Sequence, residues 1–139
     1  MIEIMRVPYE GEYQAAIRAI REVVFIEEQK VPPVLEFDGL DATAVQVLAR
    51  VDGESVGTGR VLDDGHIGRI AVLKAHRGIG LGAAIVRALT DAAFQAGHER
   101  VYLGAQTHAI GFYETLGFVA YGEAFMDAGI PHRHMEKYR

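Results

Sequence analysis

Cysteine is absent from the 139 residues. Disulfides, thiolate metal sites and a cysteine nucleophile are therefore excluded by chemistry, and any covalent route needs another nucleophile. No stretch approaches the unbroken apolar length that a membrane span requires. The opening residues Met1-Ile2-Glu3-Ile4-Met5-Arg6-Val7 lack the basic flank, continuous apolar core and small-residue cleavage site of a secretory signal. A soluble, cytoplasmic protein with no membrane partner is expected. Positive charge is also short, with 14 Lys and Arg against 19 Asp and Glu and a net charge of −5. Nucleic-acid binding relies on clustered Lys and Arg that neutralise phosphates, so no nucleic-acid partner is expected, and a cationic small substrate fits better. At this length, with half the residues hydrophobic, the chain can bury one substantial core but not two, so 1–139 reads as a single domain.

Ile2, Ile4 and Met5 near Val7 predict a short first strand, broken by Pro8 and Gly11. Tyr13, Ile17, Ile20 and Val24 then recur at helical spacing, with Gln14, Arg18, Arg21 and Glu22 on the remaining faces, and this helix ends near Phe25 to Gln29. Lys30-Val31-Pro32-Pro33-Val34 cannot continue it, because neighbouring prolines remove donors and hold preceding residues extended, so a loop is expected. Glu27, Glu28, Glu36, Asp38 and Asp41 concentrate acid on this loop and its approaches. They read either as a solvated surface or, for Asp38 and Asp41, as an attractant for a cationic substrate. Val45, Val47, Ala49 and Val51 alternate at strand period, and Asp52-Gly53 turns the chain into a second arm through Ser55 to Leu62. Asp63-Asp64-Gly65 turns it again into His66 to Leu73, giving three antiparallel strands.

The last of these strands runs into Lys74-Ala75-His76-Arg77-Gly78-Ile79-Gly80-Leu81-Gly82-Ala83, a glycine-rich turn that opens a helix with a buried stripe of Leu81, Ile85, Leu89 and Ala92. Glycines at alternating positions let the backbone curl and present N–H groups, and the helix adds the positive end of its dipole. Such a turn is an anion cradle, and phosphate is its natural guest. Ala96-Gly97 closes the helix before a strand from Val101, which completes a βαβ crossover. A short helix from about Ala109 to Leu116, a strand from Phe118 to Phe125, a break at Gly129-Ile130-Pro131 and a closing strand from His132 to Tyr138 finish the chain. His132 and His134 share one face of that strand, but two imidazoles without a third ligand nearby in sequence are not a metal site, and no metal is expected.

Gly78-x-Gly80-x-x-Ala83 formally matches the relaxed dinucleotide fingerprint, but Val101-Tyr102-Leu103-Gly104-Ala105-Gln106 ends with no carboxylate to hold a ribose. The turn also follows hairpins rather than opening the chain, which opposes an NAD-binding parallel sheet. The better match is Arg77-x-x-Gly80-x-Gly82, which resembles the pyrophosphate-binding signature of the GNAT superfamily of acyl-CoA-dependent N-acyltransferases. Phe112-Tyr113-Glu114-Thr115-Leu116-Gly117-Phe118 and the order of elements carry the likeness from about residue 2 to the end. Val24 to Gln29, Asp38-Gly39-Leu40-Asp41 and Gly129-Ile130-Pro131-His132 look like a small bacterial subgroup of that superfamily.

The resemblance implies an α/β (α+β) single domain whose mixed, mainly antiparallel sheet is splayed at the CoA site and flanked by helices. It implies acetyl-CoA as cosubstrate, with backbone groups of Ile70, Ala71 and Val72 on the pantetheine and Arg77, Gly78, Ile79, Gly80, Leu81 and Gly82 on the pyrophosphate. Tyr113 is implied as the acid that protonates the leaving thiolate, a task suited to a phenol whose ordinary pKa is near 10. The base for the attacking amine varies within the superfamily, and Glu28 and Glu27 are the candidates here, acting directly or through water. The acceptor is then a primary amine of a small molecule or peptide, attacked without an acyl-enzyme. A module that binds CoA without catalysis is the rival expectation, and free strand edges leave a homodimer open.

Overall fold

A computed structural model describes residues 1–139. Strand β1 (Ile2–Val7) leads into helix α1 (Gly11–Arg21), which runs on as a π-helical stretch over Glu22–Glu28. Helix α2 (Pro33–Glu36) is a single turn where the sequence predicts only loop. The two prolines permit it, because Pro32 is the extended cap and Pro33 sits at the helix start, where its missing N–H has no partner to lose. Strands β2 (Val45–Val51), β3 (Glu54–Val61) and β4 (Ile67–Val72) follow, then the glycine turn and helix α3 (Leu81–Gln95). Strand β5 (Arg100–Gln106), helix α4 (Ile110–Thr115) and the hairpin β6 (Val119–Asp127) and β7 (Ile130–Tyr138) complete the chain. The last break falls at Ala128-Gly129, both with positive φ, so Ile130 and Pro131 belong to β7 rather than to the turn.

The strands form two antiparallel sheets, β1-β2-β3-β4 and β5-β7-β6, so the final strand inserts between its two predecessors. Alternation along β2 decides which helix covers which face. Val47 and Ala49 join the main core with Ile85 and Leu89 of α3, whereas Leu48 joins Ile17, Ile20 and Val24 on the α1 side. The four-stranded sheet is thus sandwiched between α1 and α3, with the larger core under α3.

The sheets meet at one place. His66 and Tyr102 form an isolated parallel bridge, and the Tyr102 N–H donates to the Gly65 carbonyl at 3.1 Å. A Cβ on Gly65 would lie 2.6 Å from the Arg100 carbonyl oxygen, and its φ is +89°, so only glycine allows this approach. Beyond the bridge, β4 and β5 share no ladder and diverge toward their carboxyl ends. The expected mixed, mainly antiparallel and splayed sheet is therefore present, with its parallel component reduced to that single bridge.

Candidate active site

The glycine turn stands at the open end of the seam. Gly78 and Gly80 adopt φ of +85° and +87°, and Gly80 caps α3 in the left-handed region with no side-chain cap bond. A Cβ on either would meet nothing within 4 Å, so conformation rather than crowding requires glycine there. Backbone N–H groups from Gly78 through Ala83 find no acceptor within the protein. Leu81 anchors the turn by burying its side chain in the core, while Ile79 is exposed. A curled backbone with free donors and a helix N-terminus of full length suits a pyrophosphate.

Arg77 does not point freely at that space. Its Nε donates to the Val72 carbonyl at 2.8 Å, and one terminal nitrogen bonds both oxygens of Glu28 at 2.9 and 3.0 Å. Glu28 is therefore brought to the glycine turn, Glu27 has no such bond, both are exposed, and neither lines the cleft described next. On β4, Ala71 is buried, Ile70 lines the cleft, and the strand edge that faces β5 carries unpaired backbone groups past the bridge.

A cleft of about 520 Å³ occupies the divergence between the sheets. Tyr113 forms part of its wall, packed edge-on against Phe112 and Phe118 with ring centroids 5.0 and 6.0 Å apart. Burial pushes the Tyr113 phenol up to about 12, so its proton stays in place throughout the physiological range. The floor comes from residues that alternate onto one face of the second sheet: Tyr102, Gly104 and Gln106 of β5, and His134 and His132 of β7, which pair with Gly104 and Gln106. His66 stacks on Tyr102 at 4.7 Å, and burial holds its imidazole below the ordinary value, hence neutral at pH 7. The Tyr102 hydroxyl donates to Asp64, and burial with that bond pushes the phenol up to about 12.

Glu36 and Asp41 of the acidic stretch are buried rather than solvated. Arg21 has no exposed area, and bonds Glu36 Oε2 at 2.7 Å, Asp41 Oδ1 at 2.6 Å and the Glu36 carbonyl at 2.9 Å. Arg60 bonds Asp38 at 2.6 and 2.9 Å and Asp41 at 3.0 Å, and Arg69 reaches Glu36 and Asp38 at 3.2 Å. Three arginines from α1, β3 and β4 thus neutralise three carboxylates, and this corrects the idea that Asp38 and Asp41 attract a cationic substrate. Arg69 owes its position to a bulge: Arg69 and Ile70 together oppose Gly59, and Arg69 has φ of +56°. Burial raises the Glu36 carboxyl against the arginines around it. For Asp41 burial acts upward too, but bonds from Arg21 and Arg60 prevail and hold it below the usual carboxylate range. Asp38 is also held low, first by its bonds to Arg60.

The sequence reading missed these arginines, together with His66, Tyr102 and Phe125. One signal was available, since Arg21 falls four residues after Ile17 on the apolar stripe, and a charge there must find a partner.

Residues 24–139 match the acetyltransferase (GNAT) domain family. The chain is 43% identical over 123 residues to the uncharacterized N-acetyltransferase YjcF of Bacillus subtilis, covering 85% of this chain and 87% of that one. Two crystal structures superpose on it with a TM-score of 0.87, each match covering 99% of both chains. They are an acyl-CoA N-acyltransferase from Pseudomonas aeruginosa at 31% identity and Escherichia coli ElaA at 30%. The glycine turn, the splayed seam and these likenesses agree, and the chain belongs to the GNAT acetyltransferase family of acyl-CoA-dependent acyltransferases.

Proposed function

We propose that the protein transfers an acetyl group from acetyl-CoA to a primary amine of a small molecule or peptide by direct attack. The observation that carries this reading is the single cleft that joins the Tyr113 phenol to the unpaired edge of β4, beside a turn with free N–H donors. The thioester supplies the acyl group, and its sulfur leaves with the electron pair of the broken C–S bond. The turn from Gly78 to Gly82 would hold the pyrophosphate through backbone donors, with Arg77 lending charge at its edge. Ile70, Ala71 and Val72 would align the pantetheine along the free strand edge. A phenol kept protonated by burial can give its proton to sulfur as negative charge develops there. Glu28 holds Arg77 and Glu27 faces solvent, so a part for either in taking the amine proton runs through water.

Calorimetric titration with acetyl-CoA, free CoA and NAD tests the cofactor, and thiol release with a panel of primary amines tests the transfer. Micromolar binding of the CoA ligands alone is expected, at about −8 kcal/mol. Binding of NAD alone, or of nothing, overturns the reading. Tyr113→Phe should lower kcat by about 10²- to 10⁴-fold while the affinity for acetyl-CoA stays within about twofold.

A further inference from the structure

Direct attack requires a group that accepts the amine proton, and the cleft holds no carboxylate that is both unpaired and enclosed. Glu36 is held by Arg21 and Arg69, and Asp127 is an exposed residue of the rim. Three imidazoles line the cleft instead: His66, His132 and His134.

Of these, His132 alone has a ring nitrogen fixed by the protein. Its Nδ1 lies 2.6 Å from the Ile130 carbonyl oxygen. A carbonyl oxygen can only accept, so Nδ1 carries the hydrogen and Nε2 presents a lone pair. Nε2 has no hydrogen-bond partner, yet it is not among the buried side-chain atoms left unsatisfied, which are limited to Thr90 Oγ1. In a residue only 8% exposed, that nitrogen therefore opens on the cleft.

The ring is also fixed in place. His132 pairs with Gln106, the last residue of β5, where the two sheets stand apart, and with Phe125 of β6 on its other side. The Phe125 ring lies over it at 5.7 Å and 27°. Gly104 leaves room for that ring, since a Cβ there would come within 3.2 Å of it. His132 thus holds a lone pair beside the carboxyl end of β5, in the same cleft that Tyr113 lines, where an amine entering the cleft can meet it.

We propose that His132 Nε2 is the base that accepts the proton of the attacking amine. The inference rests on the direct-attack reading above. As the amine nitrogen bonds to the acyl carbon, one N–H proton passes to Nε2, the C–S pair leaves with sulfur, and Tyr113 donates its proton to sulfur. Net transfer of one proton from the imidazolium to the phenolate through water restores both groups. The charged groups that share the cleft with His132 are Arg69 with its Glu36 partner and Asp127, and the other titratable ones are His66, His134, Tyr102 and Tyr113.

Two measurements on the full chain test this. Long-range ¹H–¹⁵N NMR, with the His132 signal assigned by its loss in His132→Gln, should show the Nδ1–H tautomer at neutral pH, and an Nε2–H tautomer overturns the proposal. Thiol release from acetyl-CoA with tyramine, spermidine and glycinamide should show kcat reduced about 10²- to 10⁴-fold in His132→Gln, with the acidic limb of kcat/KM lost and acetyl-CoA affinity kept within about twofold. Turnover by His132→Gln within about threefold of the parent overturns the proposal, as does an acidic limb that disappears in His66→Gln or His134→Gln but persists in His132→Gln. If the parent binds acetyl-CoA but acetylates none of the amines, the acceptor reading fails. An Nε2–H tautomer would still overturn the role of His132 in that case.

Discussion

The Tyr102 N–H donates to the Gly65 carbonyl at 3.1 Å, and through this contact one sheet hangs on the other. Replacing Gly65 by alanine sets a Cβ 2.6 Å from the Arg100 carbonyl oxygen at a φ that L-residues avoid. Gly65→Ala should cost about 1–3 kcal/mol in urea unfolding and weaken acetyl-CoA binding, because the seam on which the splay depends must shift. Wild-type stability in this variant would show that the seam yields without strain.

Arg21 is the most enclosed charge in the protein, and its removal leaves Glu36 and Asp41 buried with one cation fewer. Arg21→Met should destabilise by about 3–5 kcal/mol, and adding Glu36→Gln should restore part of the loss. A double-mutant cycle in urea measures both, and strict additivity would mean that the two side chains do not act as a pair.

The same cluster sets the response to acid. Asp38 and Asp41 titrate lower in the folded chain than an unfolded carboxylate does, so their contribution is present above about pH 4 and is lost as pH falls toward the depressed folded values. Glu36 works the other way, because burial raises its folded pKa, and its contribution is lost as pH rises through that value. The urea midpoint at fixed ionic strength should fall below about pH 4, and Glu36→Gln should remove the opposing Glu36 contribution. Arg60→Met should flatten the fall.

In the proposed cofactor site, Glu28 and phosphate would compete for Arg77. The ion pair is partly exposed, with side chains 43% and 33% accessible, so it contributes no more than about 1 kcal/mol. Glu28→Gln should tighten acetyl-CoA binding by at most about fivefold at low salt, as calorimetry can measure, with the Arg77 bond to Val72 keeping the guanidinium in place. Weakened binding would instead assign Glu28 the task of holding Arg77 ready for phosphate.

Local features were legible in the sequence. Alternation and Asp-Gly turns gave the hairpins, glycine spacing gave the turn, and the Phe112 to Phe118 motif gave Tyr113 its position. The ion network was not legible, because its partners stand 15, 20, 22 and 33 residues apart and nothing local links them. A cluster of acids next to two prolines reads as surface until Arg21, Arg60 and Arg69 fold against it. His132 and His134 were correctly set on one face, but the bond that fixes the His132 tautomer exists only once the hairpin closes.

The arginine cluster separates what holds the cleft's outer wall from what the wall presents. Its anchors are Glu36, Asp38 and Asp41, while Val34 and Leu35 at the neighbouring tip are 80% and 54% exposed and take no part in the pairing through their side chains. Leu35 also lines the cleft and meets Arg69 only through its backbone carbonyl, so a change of its side chain reshapes the wall without disturbing the charges that hold it.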